Sequence, residues 1–485
     1  MNGGKEKIAN LKKNYLYNLA YTLFNTILPL ITAPYLARVV GKNNVGIYGY
    51  FYSIAYMFYI GAKLGLNNYG TREISKARER GNLDETFSSI FYQQIITALV
   101  AIIVYFMFCI FVFKDFIALI LGLTVVGGLF DIDWLFSGLE SFKQISRKNI
   151  IVKIITVILI FVFVKKGDDL DKYTLIMSMG TLIGFLAMWI NLRQHVKLIR
   201  VPVKRILIHL KPNFILVLPV LALSVYRYMD KIMLGLLSDF AETGIYEYSE
   251  KIIFALCGFI NSFGTVMMPR MANLIASGKK KESNIYIYNS LSFMMLLIWP
   301  MAFGLLEISN DLALVLFGQE FQKCGTLMML LGFTLPMMGW SNVIRTQYEI
   351  PREKDKFFLF SVSTGAIINI IVNGIMIPKY GALGAVYGTL CAELSVPIAQ
   401  FIMLRRELPY RRLITTILIP FFSGVTMYFI IHIVGVQMNL NSIIKLAIQI
   451  IVGMMVYIIV VIILLKLFNK KLLNNIMSIV KGNEK

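Results

Sequence analysis

The sequence predicts an all-α integral membrane protein of about 14 transmembrane helices, arranged as two six-helix bundles in parallel repeat plus two C-terminal helices. Three observations carry that prediction. The chain is 57% hydrophobic and 15% charged with mean hydropathy +0.70, whereas soluble domains run nearer ~25% charged. Apolar runs long enough to cross a hydrocarbon core of about 30 Å recur through all 485 residues with short polar joints. Basic residues concentrate in alternate joints.

Backbone groups in lipid must be satisfied within the segment, so each run is expected to be a helix. The first six run from Asn14 to Ala37, Gly46 to Leu66, Thr86 to Phe113, Phe116 to Ser137, Ile150 to Val164 and Tyr173 to Leu192. The next six run from Asn213 to Leu237, Ile245 to Met267, Ile285 to Leu306, Cys324 to Ile344, Phe357 to Ile377 and Leu383 to Leu404. Leu413 to Val434 and Ile443 to Leu465 close the chain. The expected domains are therefore residues 1–192, a linker at 193–212, residues 213–405, and a terminal pair of helices with a tail at 406–485.

With the N-terminus inside, cytoplasmic joints and tails hold about 33 basic residues and external joints about 8. Both termini are thus expected in the cytoplasm. The bias accounts for most of the net charge of +21, so basicity points to anionic lipid headgroups and not to nucleic acid. Lys5, Lys7, Lys12 and Lys13 precede a first run too long, and too poor in small residues at a cleavage point, for a signal peptide. The linker alternates basic and apolar residues, a pattern suited to the membrane surface.

The halves resemble each other. Gly46–Tyr50 reads GIYGY and Gly244–Tyr248 reads GIYEY, about 198 residues on. KKN before the first helix and KPN before the seventh keep nearly that offset, as do Arg72 and Arg270. An even number of helices per half gives the copies one orientation, with an axis along the membrane normal, which supports alternating access.

Charges inside spans are costly and require a partner, a wet cavity or a function. Arg227, Asp230 and Lys231 lie on the seventh helix, and Glu247, Glu250 and Lys251 on the eighth. Arg227 with Asp230 and Glu247 with Lys251 have helical neighbour spacing, so local ion pairs are one reading and a functional lining the other. Tyr48, Tyr52, Tyr56, Tyr59 and Lys63 step along one face of the second helix, either as packing or as cavity lining. Asp131, Asp133 and Glu393 are deeper acids that could bind a coupling proton or sodium ion, with capping or pairing the other reading for Asp131 and Asp133. Arg38 and Arg345 lie at helix ends, where snorkelling to headgroups is possible.

Cys109, Cys257, Cys324 and Cys391 form no CxxC, and His195, His209 and His432 are scattered, so no metal site, catalytic group or cofactor is signalled. No GxxxxGK[ST] loop is present and the external joints are short, which argues against an ATPase or an enzyme with an outer catalytic domain.

The segments NYLYNLAYTLFNTILPLITAPYLARVVG from Asn14, GIYGYFYSIAYMFYIGAKLGLNNYGTREISKAR from Gly46 and DWLFSGLESFKQISRKNII from Asp133 resemble the Wzx-type polysaccharide flippases. YMDKIMLGLL from Tyr228 and GIYEYSEKI from Gly244 are shared more widely with the superfamily that includes MATE exporters and the lipid II flippase. The resemblance implies a MATE-like, V-shaped pair of bundles around a partly cationic cavity. It implies as cargo an undecaprenyl pyrophosphate-linked oligosaccharide repeat unit for capsule, O-antigen or a related polymer, with a polysaccharide polymerase and export machinery as partners. Arg38, Lys63, Arg227 and Lys251 are then candidates for the pyrophosphate, by helix position, and Tyr52, Tyr56 and Tyr59 for the sugars. The rival reading is a MATE-like exporter of organic cations coupled to protons or sodium, using Asp131, Asp133 and Glu393. A membrane-embedded polymerase or glycosyltransferase would require a large external loop.

Overall fold

Runs of apolar residues with no water to bond their backbone can only close their hydrogen bonds along the chain. In the computed structural model, which describes residues 28–438, 440–470 and 473, every regular element is a helix. Among the described residues, ten helices are long and apolar enough to cross a membrane, and the segment Val203–Leu218 with Val220–Leu237, bent by 49°, would be an eleventh. Three further expected spans fall on helices that are shorter or more polar. Of the first, only Leu28–Val40 (α1) is described. The second is Lys42–Lys63 (α2), rich in Tyr, Gly and Asn, and the fifth is Phe142–Phe163 (α7), which carries Lys143, Arg147, Lys148 and Lys153.

The chain divides into two compact units, residues 1–244 and 245–485. In the first, α2 packs on Leu83–Phe108 (α4), Phe116–Phe130 (α5) and Leu210–Leu237 (α10). Leu66–Arg80 (α3) and Asp133–Gly138 (α6) close one end over a core of Leu66, Ile74, Phe87, Ile90, Trp134 and Phe136. Leu170–Trp189 (α8) packs on α5 and α7. The expected linker crosses the start of α4. There the Asp84 carboxylate accepts from the Lys197 backbone N–H at 2.9 Å, Ser88 Oγ accepts from that of Ile199 at 2.9 Å, and Arg205 of the short helix Val203–Leu207 (α9) pairs with Glu85.

Phe240–Ala276 (α11) opens with the second copy of the repeated motif. At its start, Gly244 meets Gly46 of α2 backbone to backbone. A Cβ on Gly46 would overlap the Phe240 carbonyl, and one on Gly244 would overlap the Lys42 carbonyl. Each clash is with the residue four positions before the partner glycine, so the two glycines meet in a mutually equivalent way within the first unit.

In the second unit, Lys280–Phe317 (α12) is the central column for Lys323–Leu331 (α13) and Thr334–Ile344 (α14). Asp355–Tyr380 (α15) and Ala382–Leu404 (α16) form a hairpin whose second arm packs on α14. Tyr410–Gln437 (α17) and Ser442–Phe468 (α18) dock on α12 through Phe303, Met427, Ile431 and Tyr457, and the Tyr457 hydroxyl donates to the Leu296 carbonyl at 2.9 Å. On α18, Ile444, Ile451, Met454, Ile458 and Ile459 point outward, as do Ile103, Ile110 and Phe111 in the stretch from α4 to Phe113. Polar side chains are meanwhile held inside, which is the arrangement a lipid exterior demands.

Candidate functional site

The site grows from α2. Spacings of four, four and three residues bring its tyrosines onto one face, and the rings contact in sequence: Tyr48 to Tyr52 at 5.5 Å between centroids, Tyr52 to Tyr56 at 5.8 Å, and Tyr56 to Tyr59 at 5.4 Å. Tyr228 of α10 extends the ladder, with its ring 4.7 Å from that of Tyr56. The ammonium of Lys231 lies 5.2 Å and the guanidinium of Arg227 5.8 Å from the Tyr228 ring, within reach of its negative face.

Lys63 ends the ladder and is enclosed, with 3% of its surface exposed. Its ammonium donates to the carboxylate of Asp131, itself 2% exposed, and to Asn67 Oδ1 at 2.6 Å. The Tyr59 hydroxyl donates to the same Asp131 oxygen at 2.5 Å. The reason Asp131 can reach this position is a break in the chain: the expected fourth span stops as a helix at Phe130, Asp131 is extended, and helix resumes at Asp133. Interrupting a helix frees carbonyls that must be satisfied within the protein. Gln94 of α4 supplies the donors, reaching Gly128 O at 2.7 Å and Asp131 O at 3.0 Å while accepting from Trp134 Nε1 at 2.9 Å.

A second pair adjoins the first. Lys148 of α7 donates to both Asp133 oxygens at 2.8 Å, and the Asp133 backbone N–H donates to Asp131 Oδ1 at 3.0 Å. Two cations and two carboxylates therefore neutralise one another in a protected place, where an unpaired member would carry a heavy desolvation cost.

Of the sequence candidates, the first unit brings Tyr52, Tyr56, Tyr59, Lys63, Asp131 and Asp133 into this network, with Arg227 adjoining it through Tyr228. Arg38 lies exposed on α1. In the second unit, Lys251 pairs with Glu247 at 3.1 Å and lies 4.5 Å from the Tyr248 ring, and Glu393 is buried on α16. Asn67, Gln94, Lys148 and Tyr228 are members that inspection of the sequence did not single out. Gln93-Gln94 inside an apolar helix was the available signal for one of them. Among the described residues no three His, Cys, Asp or Glu side chains come together as a metal site.

Residues 11–275, more than half of the chain, match the family described as polysaccharide biosynthesis protein. The chain belongs to this family. Its curated relatives include a protein of Shigella dysenteriae and one of Escherichia coli K12, both named as O-antigen transporters. The first is 23% identical over 80% of this chain and 98% of its own length, and the second is 23% identical over 82% and 97%. Among solved structures, the lipid II flippase MurJ in an inward closed conformation aligns at TM-score 0.76 and 16% identity, covering 93% of this chain and 99% of that one. An inward-facing MATE multidrug transporter aligns at TM-score 0.61 and 12% identity, covering 83% and 95%. At such identities the similarity shows the fold, the all-helical membrane fold common to both.

Proposed function

We infer that this protein is a flippase that carries lipid-linked oligosaccharides across the membrane, and that it is a transporter and not an enzyme. The observation that carries this is membership of the polysaccharide biosynthesis family by a multi-pass helical chain whose full-length relatives are named as O-antigen transporters. The finer reading is an undecaprenyl pyrophosphate-linked repeat unit, moved from the cytoplasmic to the outer leaflet of a bacterial inner membrane by alternation between two repeated halves, with both termini cytoplasmic. A polysaccharide polymerase and export machinery would take the product onward.

The ladder on α2 supports a headgroup path. Tyrosine faces suit sugar rings, a cation suits phosphate, and the polyprenyl tail can stay in lipid throughout. Lys63 is already neutralised by Asp131, so a pyrophosphate can engage it only by exchange, taking the ammonium and leaving Asp131 to its tyrosine or to a coupling proton. Arg227 lies beside the ladder, and Arg38 and Lys251 complete the proposed phosphate set, with Glu393 and Asp133 as further ion-coupling candidates. The test is reconstitution of the full chain in proteoliposomes with defined undecaprenyl pyrophosphate-linked oligosaccharides, scoring exposure on the opposite leaflet. Wild-type protein should flip them, and Lys63→Ala or Arg227→Ala should abolish flipping. Intact flipping in both variants would reject the phosphate assignment, and no flipping by wild type would reject the function.

A further inference from the structure

Helix α3 is amphipathic in a way its packing does not require. One face, with Leu66, Tyr69, Ile74 and Ala77, is buried in the core of the first unit. The opposite face forms one side of an open, shallow surface groove of about 450 Å³, along which lie Asn67, Thr71, Arg72, Ser75, Lys76 and Glu79. Amide, hydroxyl and cationic side chains border this space. Arg72 and Lys76 share a single acid, Glu73, at 3.4 and 3.0 Å, and both remain about half exposed, so each keeps donors open to a ligand even though Glu79 also borders the space. The groove also leads directly to the buried pair, because the Asn67 that lines it accepts from Lys63 at 2.6 Å.

We propose that this groove is the loading site for the pyrophosphate of the lipid-linked sugar, held by Arg72 and Lys76 before transfer past Asn67 to Lys63. Charge complementarity commits the groove to a polyanion, since guanidinium and ammonium donors are suited to phosphate oxygens. Continuity with Lys63 commits it to the transported headgroup in preference to a bilayer lipid. By the distribution of basic residues, α3 follows the cytoplasmic end of α2, the side on which such a substrate is made available. Glu79, at the far end, opposes anion binding and keeps the site from retaining its cargo.

The proposal rests on the flippase reading, and kinetics in proteoliposomes separates the two. Initial flipping rates would be measured against substrate concentration for wild type, Arg72→Gln/Lys76→Gln and Glu79→Gln, in phosphatidylcholine with and without phosphatidylglycerol. The double variant should raise the half-saturating concentration about tenfold, with a smaller effect on the maximal rate, the loss expected for a charge-assisted contact made by the bound substrate. Inorganic pyrophosphate should inhibit wild type more strongly than the double variant. Glu79→Gln should lower the half-saturating concentration, and it decides the matter if the double variant does not fold. Unchanged half-saturation in these variants, with wild type flipping, overturns the loading site alone, as does a defect seen only when phosphatidylglycerol is present. A wild type that flips nothing removes both readings.

Discussion

Lys63 and Asp131 show how far a single residue's role depends on its partner. Each would be costly alone in so enclosed a place, and breaking a buried pair by removing one member typically costs about 3–5 kcal/mol. Lys63→Gln and Asp131→Asn should each lower stability by roughly that amount, while the double variant should lose less than the sum, as read by thermal unfolding in detergent. Equal and additive losses would mean that the two side chains do not interact. Glu407, outside the membrane spans, gives a second test at this scale. It accepts from Lys354 and Tyr348, and the Lys354 ammonium above all holds its carboxyl below the ordinary value of 4.5. A carboxyl lowered on folding stabilises above its unfolded pKa, and the contribution is lost as pH falls through the folded value. Glu407→Gln should therefore flatten the fall in melting temperature below about pH 4.5, modestly, because the group is over a third exposed. The positive end of the α2 stripe was legible in the sequence, but its partner was not. Asp131 lies 68 residues away and meets Lys63 only because α5 stops at Phe130 and leaves Asp131 extended.

At the scale of elements, the repeated GIYxY motif was visible as a pattern, and its two glycines gain a physical reason from the close approach of α2 to residues 240–244. Each glycine has the other element's backbone where a side chain would stand. Backbone cannot rotate aside as a long side chain can, so overpacking here should cost about 1–3 kcal/mol. Gly46→Ala and Gly244→Ala should both lower the unfolding temperature, whereas Gly61→Ala on the same helix, with open space at its Cβ, should not. Similar melting temperatures for all three would refute the close approach. The tyrosine ladder follows from helical period alone, which makes it the best-read part of the site. Gln94, by contrast, is explained by carbonyls freed in a different helix.

For the whole molecule, the exterior decides the solvent. Isoleucines and phenylalanines face out from α4 and α18 while lysines and aspartates pair within, the reverse of what water selects. Orientation should follow the basic joints. In a Cys391→Ser background, a membrane-impermeant maleimide added to intact cells should label Lys379→Cys and not Lys281→Cys. The opposite pattern would invert the topology and place the proposed loading groove on the wrong side. Span counting by apolar length reached the helices that carry few charges. It is less decisive for α2 and α7, whose polar and charged residues serve the buried network.

Solvent class, helical character and the aromatic face of α2 are properties of neighbouring residues, set by hydropathy and a period of 3.6, and the sequence alone determined them. Which carboxylate neutralises Lys63, which glutamine heals the break at Asp131 and which glycines meet were decided only by tertiary structure. Those pairings depend on which helices lie side by side and where one of them stops. Both are outcomes of packing the whole unit and are not stored in any local stretch of chain.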